Sequence, residues 1–121
     1  MSDKLTLYFS RGSIASQACL MLTKILNIEI DLENVDSNDE DLLEILNPVH
    51  KVPVLVHDEL VLTEPRAILS YLVGFFKSDD PFYPIDLKKR AIIDQRLFYD
   101  AAVIYPSVIN LIVSLKNNLI S

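Results

Sequence analysis

The chain has 121 residues, half of them hydrophobic, and its 17 acidic and 11 basic residues give a formal net charge of −6. This length provides one substantial core and excludes a second complete domain, while the acidic charge argues against nonspecific binding to nucleic acid or to an anionic membrane. With Cys19 as its one cysteine and with two histidines, we expect no internal disulfide, no metal site and a reducing, cytoplasmic location.

The first third of the chain predicts a βαβ unit. Apolar residues alternate over Leu5–Phe9, which indicates a short strand, and a turn follows at residues 10–13. Over residues 15–26 apolar side chains recur every three or four positions, as on one face of an amphipathic helix. Alternation returns over residues 28–32 and predicts a second strand, which a right-handed crossover would place parallel to the first.

A short helix is predicted next. Asp36 opens an acidic run over residues 36–39 that is suited to cap a helix, and the apolar residues within 42–46 form about two turns. Pro48 is expected to end this helix, because proline cannot continue it.

The following residues predict a β-hairpin. Residues 52–56 and Leu60–Leu62 are rich in β-branched and aliphatic side chains, as strands are, and they are joined by a turn at 57–59. The two strands are therefore expected to be antiparallel. This arrangement places His57 in the turn, where we expect a solvated side chain.

A third helix and a linker follow the hairpin. Thr63 or Glu64 is placed to cap a helix that has Pro65 in its first turn and runs to about Phe76. Residues 78–85 are polar and interrupted by proline, so we interpret them as a linker. The elements up to this point, in the order β-α-β-α-β-β-α, predict an α/β fold with a four-stranded mixed sheet.

The last third predicts a long helix that contains a proline. Asp86 is placed to cap it, and Pro106 is expected to kink or break it. The uncharged stretch over residues 101–115 has 15 residues and falls short of the roughly 18 to 20 needed to cross a bilayer, so we expect a helix covered by protein and no membrane partner. Arg90 and Arg96 are expected to be solvated or interface charges.

Five segments, each on a predicted element, carry a family pattern: residues 7–13, 47–56, 64–72, 83–84 and 89–97. Together they resemble cytosolic glutathione transferases of the insect delta/epsilon type, over residues 4 to about 105. The resemblance implies a thioredoxin-like glutathione-binding domain over residues 1–77 and a linker over 78–85. Residues 86–121 would then be the truncated start of the family's all-helical second domain, and the pattern is lost after Ser107.

Ser13 lies in the turn before the first helix, and two interpretations of it stand open. On spacing alone, its hydroxyl caps the helix. The resemblance instead places the family's catalytic serine here, where the hydroxyl and the helix N-terminus would together hold the sulfur of glutathione as a thiolate. Cys19 has no second cysteine near it, which excludes dithiol exchange and favours a buried structural thiol.

The resemblance assigns two further pairs of residues to glutathione. Pro53 matches the family's cis-proline, which exposes the backbone N–H and C=O of Val52 to the cysteinyl part of glutathione; without the resemblance it would be interpreted as an ordinary edge proline. His50 and Lys51 would lie beside the glycine carboxylate, where a cation or an N–H donor is needed.

Glu64 and Arg66 flank the start of the third helix, where the family binds the γ-glutamyl group. Pro65 stands between them at a position where the family usually has serine, and it offers neither a hydroxyl nor an N–H. Each charge-assisted hydrogen bond that is lost in this way is expected to weaken glutathione binding by roughly one to two powers of ten.

The leading hypothesis is a glutathione transferase that conjugates glutathione, as co-substrate, to hydrophobic electrophiles without a metal. Phe98, Tyr99 and Tyr105 would line the electrophile pocket, unless they are core or subunit contacts, and the family implies a homodimer. The alternative is a non-catalytic binding or assembly module that keeps the fold of these transferases. Pro65 and the short second domain favour this alternative.

Overall fold

The structure, a computed structural model, describes residues 4–36 and 51–120. The chain divides into two compact units, Met1–Phe82 and Tyr83–Ser121. The helix predicted over residues 42–46 lies outside the described residues, and so does His50.

The first unit is built on a four-stranded mixed sheet, which confirms the predicted fold class. Strand β1 (Leu5–Phe9) pairs in parallel with β2 (Asp31–Asn34) and antiparallel with β3 (Val54–His57). Strand β3 forms a hairpin with β4 (Leu60–Leu62). The strand order is β2-β1-β3-β4, so β1 and β3 are the inner strands and carry the buried strand residues.

Two helices of the first unit supply the rest of its core. Helices α1 (Ile14–Ile25) and α2 (Pro65–Phe76) pack against each other, each with an apolar face. Burial of one large apolar side chain stabilises a fold by about 1.5 to 3 kcal/mol relative to leaving it exposed. Six buried residues form the centre of this core: Leu5, Leu7, Cys19, Leu55, Ile68 and Leu72.

Strand β2 begins at Asp31, so the strand predicted over residues 28–32 was placed too early. The preceding backbone belongs to the end of α1, where Asn27 adopts a left-handed conformation with φ 53°. The N–H of Ile28 then donates to the carbonyl of Thr23 at 3.0 Å, as in a Schellman motif. Because this hydrogen bond closes the helix, the N–H of Ile28 is not available for a ladder with β1.

Strand β3 is also shifted from its predicted bounds of 52–56. Pro53 has no N–H to donate to a ladder, so the strand begins at Val54. At its other end the strand extends to His57, whose partner across the hairpin is Leu60. The prediction that His57 lies in the turn is therefore wrong.

His57 is a buried residue, only 3% exposed. Its Nδ1 atom lies 2.5 Å from the hydroxyl of Tyr71, and the ring of Phe75 packs edge-on with a centroid separation of 4.8 Å. The turn itself begins at Asp58, which adopts φ 54°. His57 therefore connects the hairpin to α2, where the sequence had predicted a solvated side chain.

The second unit is one continuous helical run. It consists of α3 (Leu87–Tyr99), a π-helical segment (Asp100–Ile104) and α4 (Tyr105–Ile120). Asp86 caps α3 as predicted, since its carboxylate accepts from the N–H of Lys89 at 3.0 Å.

Pro106 was expected to kink or break this helical run, and it does not break it. In a regular α-helix a proline here would lack the hydrogen bond to the carbonyl of Ala102 and would clash with it. Instead, the N–H of Tyr105 donates to the carbonyl of Asp100, five residues back. This wider π-helical turn precedes the proline and lets the helix continue.

Arg90, which was expected to be a solvated or interface charge, is half-buried and contacts residues of its own unit. Its Nε donates to the carbonyl of Pro84 at 2.7 Å, and its guanidinium lies 4.2 Å from the centre of the Tyr83 ring. The hydroxyl of Tyr83 donates to Asp94 at 2.9 Å. These contacts fix the start of the second unit on its own helix, whereas Arg96 is exposed as predicted.

The helical run over Leu87–Leu119 is long and apolar enough, by length and composition alone, to cross a bilayer. It reaches this length because Pro106 does not divide it. A helix that packs against other protein meets the same criteria, so the run is not assigned to a membrane.

The contact between His57 and Tyr71 is expected to stabilise the folded first unit. The substitution Tyr71→Phe leaves the buried Nδ1 of His57 without this partner, which should lower the free energy of unfolding by about 1 to 3 kcal/mol. Urea denaturation measures the change. Tyr8→Phe, the same substitution on β1, is the control and should cost less. Equal unfolding midpoints for the two variants would contradict the prediction.

Candidate functional site

The strand pairing brings four segments of the first unit to one end of the sheet. Strand β1 ends where antiparallel β3 begins, with Tyr8 opposite Val54, and β4 also ends there, because Leu62 lies opposite Leu55. Strand β2 runs parallel to β1 and ends beside it. We call this region the Ser13 end of the sheet. It carries the turn at residues 10–13, Asp36, the pair Val52 and Pro53, and the start of α2.

Ser13 is the N-cap of α1. Its Oγ accepts a hydrogen bond from the N–H of Ser16 at 3.1 Å, so the capping role predicted from spacing is observed. Its own N–H donates to the carbonyl of Ser10 at 3.2 Å, which closes the turn. A hydroxyl has one proton to donate besides its acceptor lone pairs, and no residue among 4–36 and 51–119 accepts that proton. Capping therefore leaves Ser13 able to donate to a ligand.

Asp36 reaches the same turn from the end of β2. Its Oδ1 accepts from the hydroxyl of Ser10 at 2.5 Å, and its Oδ2 accepts from the N–H of Arg11 at 3.2 Å. The hydrogen bond from Ser10, followed by that from Arg11, holds the pKa of the Asp36 carboxyl below its usual value. The sequence placed Asp36 in a run over residues 36–39 suited to cap the next helix, and it did not predict this contact with the turn that carries Ser13.

The segment before β3 contains a cis peptide bond between Val52 and Pro53, as the resemblance implied. Pro53 is fully buried and Val52 is half-buried. Lys51, the residue before them, is exposed. The structure thus places three of the predicted glutathione-binding residues at the Ser13 end, while the fourth member of the segment, His50, lies outside the described residues.

The start of α2 brings the remaining predicted residues to the Ser13 end. Glu64 is the N-cap, but its side chain makes no capping hydrogen bond; its carbonyl accepts from the N–H of Ile68 at 3.0 Å. Pro65 occupies the first helical position and Arg66, half-buried, the second. Helices α1 and α2 both begin here, and the partial positive charge of each N-terminus favours an anionic ligand.

Cys19 is fully buried on α1, as predicted for a structural thiol. Burial raises the pKa of the Cys19 thiol from 9.0 to about 12, and the positive charge of Arg66 offsets part of this increase. The thiol is therefore protonated at neutral pH and does not serve as a nucleophile.

Phe98, Tyr99 and Tyr105 belong to the second unit, where Phe98 is 75% exposed and Tyr99 is 56% exposed. Neither of these two rings is therefore part of a core within the described residues. Over residues 4–36 and 51–120, no cluster of three His, Cys, Asp or Glu side chains is placed to hold a metal ion.

A surface pocket of about 720 Å³ lies at the opposite end of the sheet from Ser13. It is lined by Lys4, Thr23, Lys24 and the connection over residues 27–32. None of the predicted glutathione-binding residues lines it. The pocket is therefore not the candidate site, in spite of its volume.

Comparison with known proteins places the chain among glutathione transferases. Residues 3–74 match the model of the family described as "Glutathione S-transferase, N-terminal domain". The chain is 37% identical over 111 residues to Glutathione S-transferase 1 of Manduca sexta, an alignment that covers 86% of this chain and 50% of that protein. The chain thus spans about half the length of the curated relatives that it matches.

Solved structures agree with this result. An epsilon-class glutathione S-transferase from the housefly Musca domestica has a TM-score of 0.78 and 34% identity, over 92% of this chain and 53% of that chain. A glutathione transferase homolog from Drosophila mojavensis, solved with bound glutathione, has a TM-score of 0.73 and 31% identity, over 83% of this chain and 48% of that one. The resemblance inferred from sequence motifs is confirmed.

The burial of Cys19 predicts a slow reaction with thiol reagents. Raising its pKa from 9.0 to about 12 lowers the thiolate fraction about a thousandfold, so iodoacetamide should label the folded protein at least that much more slowly than the unfolded one. Mass spectrometry follows the labelling. The control is Ala18→Cys in a Cys19→Ala background, an exposed position on α1 that should react readily. Equal rates for the two cysteines would contradict the prediction.

Proposed function

Because the chain belongs to the glutathione S-transferase family, we propose that it binds glutathione at the Ser13 end of the sheet and takes part in conjugating it to hydrophobic electrophiles. Two observations support this proposal. A solved relative from Drosophila mojavensis contains bound glutathione, and the Ser13 end gathers hydrogen-bond donors and two helix N-termini in the first unit. No metal takes part in the proposed reaction.

Conjugation requires the glutathione sulfur as a thiolate. A free alkyl thiol has a pKa of about 8.5 and is only a few per cent ionised at neutral pH. A hydrogen bond from the Ser13 hydroxyl to the sulfur would favour the charged form by about 1.5 to 3 kcal/mol, or roughly one to two pKa units. The N-terminus of α1 adds its partial positive charge. Together these two effects are large enough to produce the thiolate at neutral pH.

The observation that carries this mechanism is the hydrogen bond from the N–H of Ser16 to Ser13 Oγ. It fixes the position of the oxygen at the start of α1 and uses a lone pair, so the hydroxyl proton can point away from the helix towards a ligand. Hydrogen bonds in a chain polarise one another, so a hydroxyl that accepts one bond becomes a better donor.

The other predicted residues would bind the two ends and the centre of the tripeptide. The backbone of Val52 would pair with the cysteinyl part, and Lys51, with His50, would meet the glycine carboxylate. Glu64 would bind the γ-glutamyl ammonium and Arg66 its carboxylate.

The thiolate would then attack an electrophilic carbon. A carbon–sulfur bond forms and the leaving group departs with its electron pair. We assign the electrophile to a hydrophobic class. A homodimer in the cytosol is part of the same proposal, and so is the division of the chain into residues 1–77, a linker over 78–85 and the start of a helical domain over 86–121.

A non-catalytic binding or assembly module is the second candidate, and Pro65 favours it. The structure places Pro65 at the first helical position of α2, where it removes one N–H from the N-terminus that would bind the γ-glutamyl carboxylate. Such a module would keep the fold and bind glutathione weakly or not at all.

The role of Ser13 as a donor can be separated from its role as a cap. Ser13→Ala should raise the thiol pKa of bound glutathione by about one to two units. Ser13→Asp keeps a good N-cap, so it should preserve stability better than alanine, yet it should raise the thiol pKa at least as much because it has no proton to donate. Thiolate absorbance in the ultraviolet, followed against pH at saturating glutathione, gives the pKa. A thiol pKa in Ser13→Asp equal to that in the unmodified chain would show that Ser13 only caps α1.

The weakening of glutathione binding that is assigned to Pro65 can be tested by restoring hydrogen-bond donors at that position. Pro65→Ser supplies two donors, an N–H and a hydroxyl, and should tighten glutathione binding by roughly two to four powers of ten, or about 3 to 6 kcal/mol. Pro65→Ala supplies the N–H alone and should give a smaller gain. Calorimetric titration with glutathione measures both variants, with Pro81→Ser as the control outside α2. Unchanged affinity in Pro65→Ser would contradict the prediction and remove the main support for the non-catalytic alternative.

A further inference from the structure

We propose that Asp36 is a positioning residue for Ser13, which acts through the turn at residues 10–13 and not by touching the substrate. The inference rests on the proposed function, because Ser13 is the group to be positioned. It is distinct from that function, because Asp36 takes no part in the chemistry of the reaction and lies after β2, outside the turn that carries Ser13.

The Asp36 carboxylate ties consecutive residues of the turn to the end of β2. Its Oδ1 accepts from the Ser10 hydroxyl at 2.5 Å, and its Oδ2 accepts from the Arg11 N–H at 3.2 Å. Asp36 is itself held in place, since its N–H donates to the side-chain oxygen of Asn34 at 2.9 Å. The carboxylate thus forms a bridge between two neighbouring strand ends.

Two further side chains that bind this turn, within the described residues, come from α1. Gln17 donates through its side-chain amide to the carbonyl of Arg11 at 3.1 Å, and Ser16 Oγ accepts from the N–H of Ser10 at 3.3 Å. These contacts hold the turn to the helix that it precedes. Asp36 holds the turn to the sheet, and the predicted glutathione contact at Val52 adjoins β3 of that sheet. The distance between the Ser13 hydroxyl and a ligand bound at Val52 therefore depends on the contact made by Asp36.

The charge of Asp36 and the position that it gives to Ser13 have opposite effects on the pKa of the glutathione thiol. The hydrogen bonds from Ser10 and Arg11 keep the pKa of Asp36 low, so its carboxylate is ionised at neutral pH. A negative charge near the site opposes formation of a thiolate, whereas a well-placed Ser13 hydroxyl favours it. Removing the carboxylate should lower the thiol pKa if charge dominates and raise it if position dominates.

This difference in sign provides the test. The thiol pKa of bound glutathione is measured from ultraviolet thiolate absorbance in the full chain and in Asp36→Ala, Ser10→Ala, the double variant and Asp36→Asn. Asp31→Ala, which removes an exposed carboxylate from the other end of β2, is the matched control for charge. Thermal melting of each variant separates loss of positioning from loss of the folded state.

We expect Asp36→Ala to raise the thiol pKa by about one unit, which is a tenfold loss of thiolate at neutral pH. Ser10→Ala should shift the pKa in the same direction. The double variant should shift it no further than Asp36→Ala, since the hydrogen bond that Ser10→Ala removes is one of the two that Asp36→Ala removes. Asp36→Asn should raise the thiol pKa less than Asp36→Ala does, because the amide oxygen of asparagine can still accept a hydrogen bond from the N–H of Arg11. An unchanged or lowered thiol pKa in Asp36→Ala would overturn the proposal.

A failure of the proposed function can be distinguished from a failure of the role proposed for Asp36. If the unmodified chain binds no glutathione, that function is wrong, and Asp36 is judged on the free protein by amide hydrogen exchange at Ser13 and Ser16. Faster exchange in Asp36→Ala than in Asp31→Ala then supports the role of Asp36 in fixing the turn, and equal exchange overturns it. If glutathione binds but Ser13→Ala leaves the thiol pKa unchanged, the positioning role is overturned as well.

Discussion

The rest of the candidate site depends on one side-chain group, the hydroxyl of Ser13. As the N-cap of α1 it accepts a hydrogen bond from Ser16 and satisfies one of the donors left unpaired at a helix start. Because it caps through a lone pair, its proton stays available for the ligand. Capping and donation to a thiolate, which the sequence presented as alternatives, are thus compatible in one side chain.

The strand order determines what surrounds that hydroxyl. Antiparallel pairing of β3 with both β1 and β4 brings the residues before β3 and after β4 to the end of the sheet where α1 begins. Val52 and Arg66, which lie about forty and fifty positions after Ser13 along the chain, therefore share one region with it. Its two helix N-termini favour an anion, and the place of Pro65 in one of them opposes binding. Whether this region binds the family's ligand depends on two opposing contributions, the attraction of the two helix N-termini for an anion and the loss of the N–H at Pro65.

Local patterns in the sequence predicted the elements well, since β1, α1, the hairpin and α2 depend on periodicity, caps and turn residues. The errors came where a distant contact determines the outcome. His57 was predicted to be solvated because nothing nearby in the sequence shows that Tyr71 will meet its ring. The contact of Asp36 with the turn was not predicted, because its partners lie 25 and 26 positions earlier in the chain. Pro106 was expected to kink or break a helix, but the π-helical turn that accommodates it has no signature in the residue types.

The most direct test of the account is a titration of the isotopically labelled full chain with glutathione, followed residue by residue through its backbone amide NMR signals. Binding at the Ser13 end predicts shifts of Ser13, Val52 and Arg66 that saturate together, with one dissociation constant. Signals that stay unchanged at these three residues, or shifts confined to residues 87–119, would contradict the assignment of the site.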